Sequence, residues 1–119
     1  MNAASTAANW ARSQVGSCYS QDANKRMSSC FDCSSLVYRA YKAAGIDIGA
    51  TYTGAFPGRM REVSTSSLQV GDVLWKPGHV GIYLGNNEVV NAENPRTGVQ
   101  VRSLDYYRKY MGFTKAFRI

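Results

Sequence analysis

The chain has 119 residues, 45% hydrophobic and 18% charged, with a formal net charge of +6. That length supports one hydrophobic core, and the composition excludes a disordered chain. No apolar run approaches the ~20 residues of a membrane helix, no glycine-rich phosphate loop is present, and the 14 Lys and Arg residues are scattered rather than gathered into a nucleic-acid stripe.

The opening MNAASTAANWARSQVG lacks the basic start and continuous apolar stretch of a signal peptide. Within it, Ala4, Ala7, Ala8, Trp10, Ala11 and Val15 fall at helical spacing, so an amphipathic helix is expected over 4–15, stopped by Gly16. Residues 17–31 are polar and irregular and read as a loop. A second helix follows, with Leu36, Val37, Ala40, Tyr41 and Ala44 on one stripe, Asp32 as N-cap and Gly45 as terminator. Residues 49–58 are rich in Gly and Thr and read as another loop.

Strand-like segments then run to the end of the chain: 72–76 (DVLWK), 79–84 (HVGIYL), 88–92 (EVVNA), 99–102 (VQVR) and 113–119 (FTKAFRI). Gly85, Asn86 and Asn87 form a hairpin turn between the second and third of these. Ser103 caps a short helix expected over 104–110. Helices first and strands afterwards predict an α+β domain over residues 1–119, with N-terminal helices packed on a central antiparallel sheet of about five strands.

The three cysteines are Cys18, Cys30 and Cys33, and an odd count leaves at least one thiol unpaired. A Cys18–Cys30 disulfide with Cys33 free is the simplest arithmetic and needs an oxidising compartment. A redox pair at Cys30 and Cys33 is an alternative. So is a zinc site built with His79, although the spacings do not match paired zinc knuckles.

Cys33 falls in the first turn of the second helix, where the helix dipole and unpaired amides favour a thiolate. His79, the single histidine, begins a strand. Asn91 lies on the next hairpin strand, where it can face His79. A cysteine nucleophile needs a base to take its proton and a third group to hold the base, and the chain supplies them in the order Cys33, His79, Asn91. The helix start also offers backbone N–H groups for an oxyanion. Glu93 lies two residues beyond Asn91 on the same strand face and is a rival for the third position, with a solvated strand end as its plainer reading.

Three segments carrying these residues resemble the NlpC-type cell-wall cysteine peptidases. FDCSSLVYRAYKAAGI (31–46) is similar to the family's nucleophile helix, which reads D-C-S-G-L-V. LQVGDVLWKPGHVGIYLGNNEVVNA (68–92) is similar to its L-x-x-G-D turn, base strand and third-residue strand. NWARSQVGSCY (9–19) resembles its opening helix, which ends in a tyrosine near the nucleophile, and YMGFTKAFRI its last strand.

The resemblance implies a papain-like NlpC-type fold and hydrolysis of amide bonds in bacterial peptidoglycan stem peptides, with the D-isoglutamyl–diamino acid bond the usual target. A muramoyl–L-alanine amidase of the same fold and an acyl-transferring relative are the alternative enzymes. A wall-binding module without activity is the non-enzyme rival. Cys33 matches the nucleophile, His79 the base, Asn91 the orienting residue and Tyr19 the tyrosine beside the thiolate. Asp32 and Ser34 match the residues that shape the substrate cleft. Ser35 stands in place of the family's glycine, where its hydroxymethyl group is expected to crowd the first helical turn or touch substrate.

No metal or cofactor, no nucleic-acid partner and no membrane insertion are expected. A wall-binding domain or an immunity protein outside this chain is an expected partner. Action at the cell wall without a signal peptide implies a phage-released or injected protein, or an excised catalytic domain.

Overall fold

Helix α1 (Ala3–Arg12) begins where the Asn2 side-chain oxygen accepts the Ser5 N–H, a standard cap. The computed structural model describes residues 2–119. The helix ends three residues before the expected 4–15 boundary. Ser13 to Val15 form a turn instead, and Val15 is left exposed. Ala7, Ala8 and Ala11 are buried, and these small side chains let α1 lie close against α2 (Cys33–Ala43). On α2, Leu36, Val37, Ala40 and Tyr41 have no exposed surface. Each fully buried Leu or Val contributes roughly 1.5–3 kcal/mol, so this stripe anchors the helix more strongly than its caps do.

The segment expected to be an irregular loop over 17–31 is tied down. Strands β1 (Cys18–Tyr19) and β2 (Cys30–Phe31) form a two-stranded parallel pair, with Cys18 opposite Cys30 and Tyr19 opposite Phe31. A disulfide joins Cys18 to Cys30, and Cys33 is the free cysteine. Arg39 of α2 donates to the carbonyls of Arg26, Ser28 and Cys30, and its guanidinium lies 4.0 Å from the Phe31 ring centroid. Strands of two residues carry no readable alternation, so hydrophobic pattern gives no sign of them.

The main sheet has six strands: β3 (Arg61–Val63), β4 (Val73–Lys76), β5 (His79–Gly85), β6 (Glu88–Ala92), β7 (Val99–Ser103) and β8 (Lys115–Arg118). Their order is β3-β8-β4-β5-β6-β7 and every pairing is antiparallel. The sixth strand, β3, is a short and mostly exposed edge with no apolar face to announce it. Asn86 and Asn87 both take left-handed φ, giving the tight hairpin expected between β5 and β6. The expected helix at 104–110 is a short α3 (Leu104–Tyr106), capped by Ser103, that runs into a π-helical turn over Tyr107–Met111.

Alternation sorts the strands onto two faces. Val80, Ile82, Val90, Ala92 and Phe117 pack with both helices. Leu74, Val89 and Ala116 pack with Tyr107 on the other face. Gly71 is held by proximity and conformation together. Its φ is +93°, and a Cβ there would sit 2.5 Å from the Ala4 Cβ and 2.7 Å from the Ala4 carbonyl oxygen. The Tyr41 hydroxyl donates to the Gly71 carbonyl. Buried Asp72 accepts both Arg118 N–H groups at 2.8 Å and the Gln69 N–H, which pins the last strand to the turn before β4.

The disulfide closes a short loop, and removing it should cost up to about 3 kcal/mol. We expect Cys18→Ser/Cys30→Ser to lower the urea midpoint of unfolding. Mild reduction should shift the unaltered protein in the same direction and leave the double variant unmoved. Equal midpoints for the two proteins would show that the ion pairs and Arg39 hold this segment unaided.

Candidate active site

The start of α2 is locked by a reciprocal cap. The Asp32 side chain accepts the Ser35 N–H at 2.8 Å, and the Asp32 N–H donates to Ser35 Oγ at 2.9 Å. Ser35 has no exposed surface, so the direct substrate contact expected of it gives way to this capping role. The Asp32 carboxylate also accepts Arg26 Nε at 2.8 Å, and Arg26 donates to Ser34 Oγ and to the Thr51 carbonyl. Burial would raise the Asp32 carboxyl, but Arg26 and Ser35 outweigh it and hold the group below its ordinary value. Ser34, 4% exposed, donates to the Thr51 carbonyl at 3.1 Å. The segment over Thr53–Gly58, expected to be loop, is a 3₁₀ turn fixed by buried Phe56 and by Trp75 Nε1 donating to the Thr53 carbonyl.

Cys33 is 8% exposed and sits against the first residues of β5. Its thiol faces the Gly78 carbonyl at 3.8 Å, and the Val80 N–H points to the sulfur. Those two groups flank His79 in sequence, so the thiol packs against the backbone that carries the chain's single histidine. Burial pushes the thiol pKa up, and the nearby Asp32 carboxylate adds to this. The N–H groups of Val80, Ser34 and Cys33 itself oppose the rise without cancelling it. The thiolate expected from the helix start is therefore outweighed by desolvation in the resting protein. Tyr19 is half-buried on β1 and interacts with both Cys33 and Asp32. Burial and those two groups raise its hydroxyl pKa, so it remains a proton donor at neutral pH.

His79 is also 8% exposed. The Ile82–Val90 pairing, continued along the two strands, sets Asn91 across from Gly81 and one diagonal step from His79. Asn91 is fully buried, and its Oδ1 lies 3.0 Å from His79 Nε2. The amide orientation follows from what lies behind it. Asn91 Nδ2 donates to the Gln100 carbonyl on β7 at 3.2 Å, and a carbonyl can only accept. Oδ1 must therefore face the ring, Nε2 must carry the hydrogen, and Nδ1 keeps the lone pair. Gly81 leaves room for the Tyr107 ring, 5.9 Å from the imidazole; a Cβ on Gly81 would come within 2.7 Å of the Tyr107 hydroxyl.

Burial lowers the His79 pKa and Lys76 adds to this, while Asn91 and the more distant Glu93 push it back up. The resting pair is thus a neutral thiol and a neutral imidazole.

Glu93 is not a solvated strand end. Its side chain is 8% exposed and takes two bonds from Arg102, at 2.6 and 2.8 Å, and one from Thr97 at 2.9 Å. Sequence reading missed Arg26 and Arg102, because a scattered basic residue gives no sign of the buried carboxylate it will meet. Two alternatives for the cysteines lose their chemistry here: Cys30 is bonded to Cys18, which removes both the Cys30–Cys33 redox pair and two of the four zinc ligands.

The sequence pattern of the NlpC/P60 family matches residues 16–115. Peptidoglycan DL-endopeptidase CwlO of Bacillus licheniformis is 41% identical over 87 residues, covering 66% of this chain and 19% of its own length. Murein DD-endopeptidase MepH of Escherichia coli is 36% identical over 97 residues, covering 69% of this chain and 35% of its own length. The crystal structure of the NlpC/p60 domain of peptidoglycan hydrolase SagA has a TM-score of 0.80 at 27% identity, with 100% of both chains covered. The peptidoglycan hydrolase RipB from Mycobacterium tuberculosis has a TM-score of 0.79 at 27% identity, over 98% of this chain and 64% of its own. The chain spans less than half the length of the curated relatives it matches.

With one histidine in the chain, a single imidazole signal reports the site by NMR. We expect it to titrate below the ordinary value of about 6.5. The unfolded chain then takes the proton first as the pH falls, so stability decreases between the unfolded and folded midpoints. A midpoint at or above the ordinary value would contradict the buried, neutral ring.

Proposed function

Because this chain belongs to the NlpC/P60 family, we propose that it hydrolyses amide bonds in the stem peptides of bacterial peptidoglycan, with Cys33 as nucleophile, His79 as base and Asn91 as the residue that orients the ring. The observation that carries this reading is a free thiol at a helix start packed against the backbone on either side of a histidine whose Nε2 is held by a buried amide. The relatives named for DL- and DD-endopeptidase activity support the substrate class. We take the D-isoglutamyl–diamino acid bond as the target, with the muramoyl–L-alanine amide or acyl transfer as the competing chemistry.

In the proposed reaction His79 Nδ1 takes the thiol proton as the sulfur attacks the carbonyl carbon. Starting from a neutral pair, proton transfer and attack are coupled, and a bound substrate that displaces water strengthens the charge attraction between thiolate and imidazolium. The Cys33 N–H, in the first turn of α2, and the Tyr19 hydroxyl are the donors proposed for the oxyanion. The imidazolium gives its proton to the leaving amine, the C–N bond breaks and a thioester remains. Water, deprotonated by His79, then attacks the thioester and frees the acid and the thiol. Asp32 and Ser34, held by Arg26 and the Thr51 carbonyl, are the residues proposed to shape the substrate cleft. Action at the cell wall fits the charge of +6, because the wall carries carboxylates and phosphates.

Digestion of purified peptidoglycan followed by mass spectrometry of the fragments identifies the bond. Cys33→Ala and His79→Ala should abolish product formation with the fold retained, and Asn91→Ala should reduce it less. Product from Cys33→Ala at more than a few per cent of the unaltered rate would overturn the nucleophile assignment. A second measurement addresses the charge. Raising salt from about 50 to 300 mM should slow digestion of intact walls and leave cleavage of a short soluble stem peptide nearly unchanged, since screening acts over roughly 10 Å. Equal slowing of both would place the salt effect in the cleft or in stability.

A further inference from the structure

Behind Asn91 lies a buried carboxylate that the reaction as described does not use. We propose that Glu93, clamped by Arg102 and Thr97, is a positioning residue that acts on His79 through the Asn91 amide, stabilising the imidazolium that forms when the thiol gives up its proton. This rests on the His79 and Asn91 assignments above.

The geometry is a line of four side chains. His79 Nε2 donates to Asn91 Oδ1 at 3.0 Å. One hydrogen of Asn91 Nδ2 goes to the Gln100 carbonyl at 3.2 Å, and the other points to Glu93 Oε2 at 3.5 Å. Glu93 is held in turn by Arg102 Nε at 2.6 Å and Nη2 at 2.8 Å, and by Thr97 Oγ1 at 2.9 Å. Arg102 itself lies 5.5 Å from the Tyr106 ring centroid, which fixes the guanidinium from its outer side.

An asparagine alone gives the imidazolium a dipole but no charge. A carboxylate in direct contact would give charge, but it would also raise the ring's affinity for a proton and leave the resting imidazole protonated, with no lone pair to accept one. Placing the carboxylate one residue further away, behind an amide polarised by it, gives a smaller stabilisation. Glu93 is held below its ordinary value: burial would raise the carboxyl, and the bonds from Arg102, Thr97 and Asn91 together outweigh it. Among the described residues, the thiol, the lysine and the tyrosine around His79 do not supply a negative charge in its resting state. Cys33 of α2 is a neutral thiol, Lys76 of β4 is a cation, and the Tyr107 hydroxyl has its pKa raised well above the ordinary value. Glu93 is the carboxylate whose field reaches the ring.

The test reads the His79 imidazole by NMR and, separately, cleavage of a soluble stem peptide. Glu93→Gln should lower the His79 midpoint by about half a pH unit. Arg102→Gln should move it the opposite way, since Thr97 and Asn91 still bond the carboxylate, which then faces the amide with its charge unopposed. Thr97→Val, which keeps both charges, should leave it in place. In cleavage, Glu93→Gln should lower kcat about three- to thirtyfold with little change in KM. In an Asn91→Ala background the same substitution should have a smaller effect on kcat, because only the through-space field of the carboxylate on the ring then remains.

Three results would overturn the proposal: an unchanged midpoint in both charge variants, a shift of the same sign in both, or equal losses of kcat from Glu93→Gln with and without Asn91. The opposite-sign expectation for Arg102→Gln keeps the test decisive if Glu93→Gln does not fold. The NMR arm needs no substrate, so a failure of the peptidoglycan reading leaves it intact and identifiable as a separate failure.

Discussion

The constraint on which the site depends is the burial of the α2 N-terminus. A helix start has N–H groups without partners inside the helix, and burying them without replacements is costly. Here Asp32 and Ser35 satisfy them reciprocally, and the charge that Asp32 brings inside is matched by Arg26. With that cost met, the first turn can press against β5 while Leu36, Val37, Ala40 and Tyr41 bury the rest of the helix face. Cys33 is carried into contact with the backbone around His79 as a consequence. The same burial that delivers the thiol also raises its pKa and lowers that of the imidazole. The site is thus assembled in its uncharged form, and charge separation is left to the moment of reaction.

The sheet supplies the second half of the arrangement. Register across β5, β6 and β7 decides which groups stand beside the ring. A shift of one residue would turn Asn91 to the helix-covered face and bring a valine or alanine in its place. The tight turn at Asn86 and Asn87 fixes that register from one end, and the Asn91–Gln100 pairing fixes the amide's orientation from the other side. Gly81, having no side chain of its own, leaves room for Tyr107 beside the ring. Asp72 and Arg118 tie the final strand to the turn before β4, and Tyr41 reaches the same turn from α2, so helix and sheet are joined at a point remote from the thiol.

Around this frame the chain spends much of its basic charge internally. Arg26, Arg39, Arg102 and Arg118 each bind carboxylates or carbonyls of named partners. Arginine suits these places because its fork can satisfy two acceptors at once in a fixed plane. The net charge of +6 is therefore not a measure of free surface charge: part of it reinforces the packing of internal segments.

The sequence by itself determined the elements with strong periodicity or sharp punctuation. The apolar stripe of α2, its Asp32 cap, the Asn-Asn hairpin and the alternating strands β4 to β7 were all legible, because each is written in residues close together along the chain. The α+β class followed from their order. The candidate trio Cys33, His79 and Asn91 was legible as residue types in a suitable sequence, and the resemblance to a family sharpened it. What only the tertiary structure decided are relations between residues far apart. The two-residue strands β1 and β2 and the edge strand β3 have too few residues to show a period. The internal role of Ser35, the pairing of Arg26 with Asp32 and of Arg102 with Glu93, and the burial of Glu93 depend on which side chains folding brings together. The protonation of the site belongs to the same group: local rules place a thiolate at a helix start, and the desolvation that reverses this exists only once the helix is packed against the sheet.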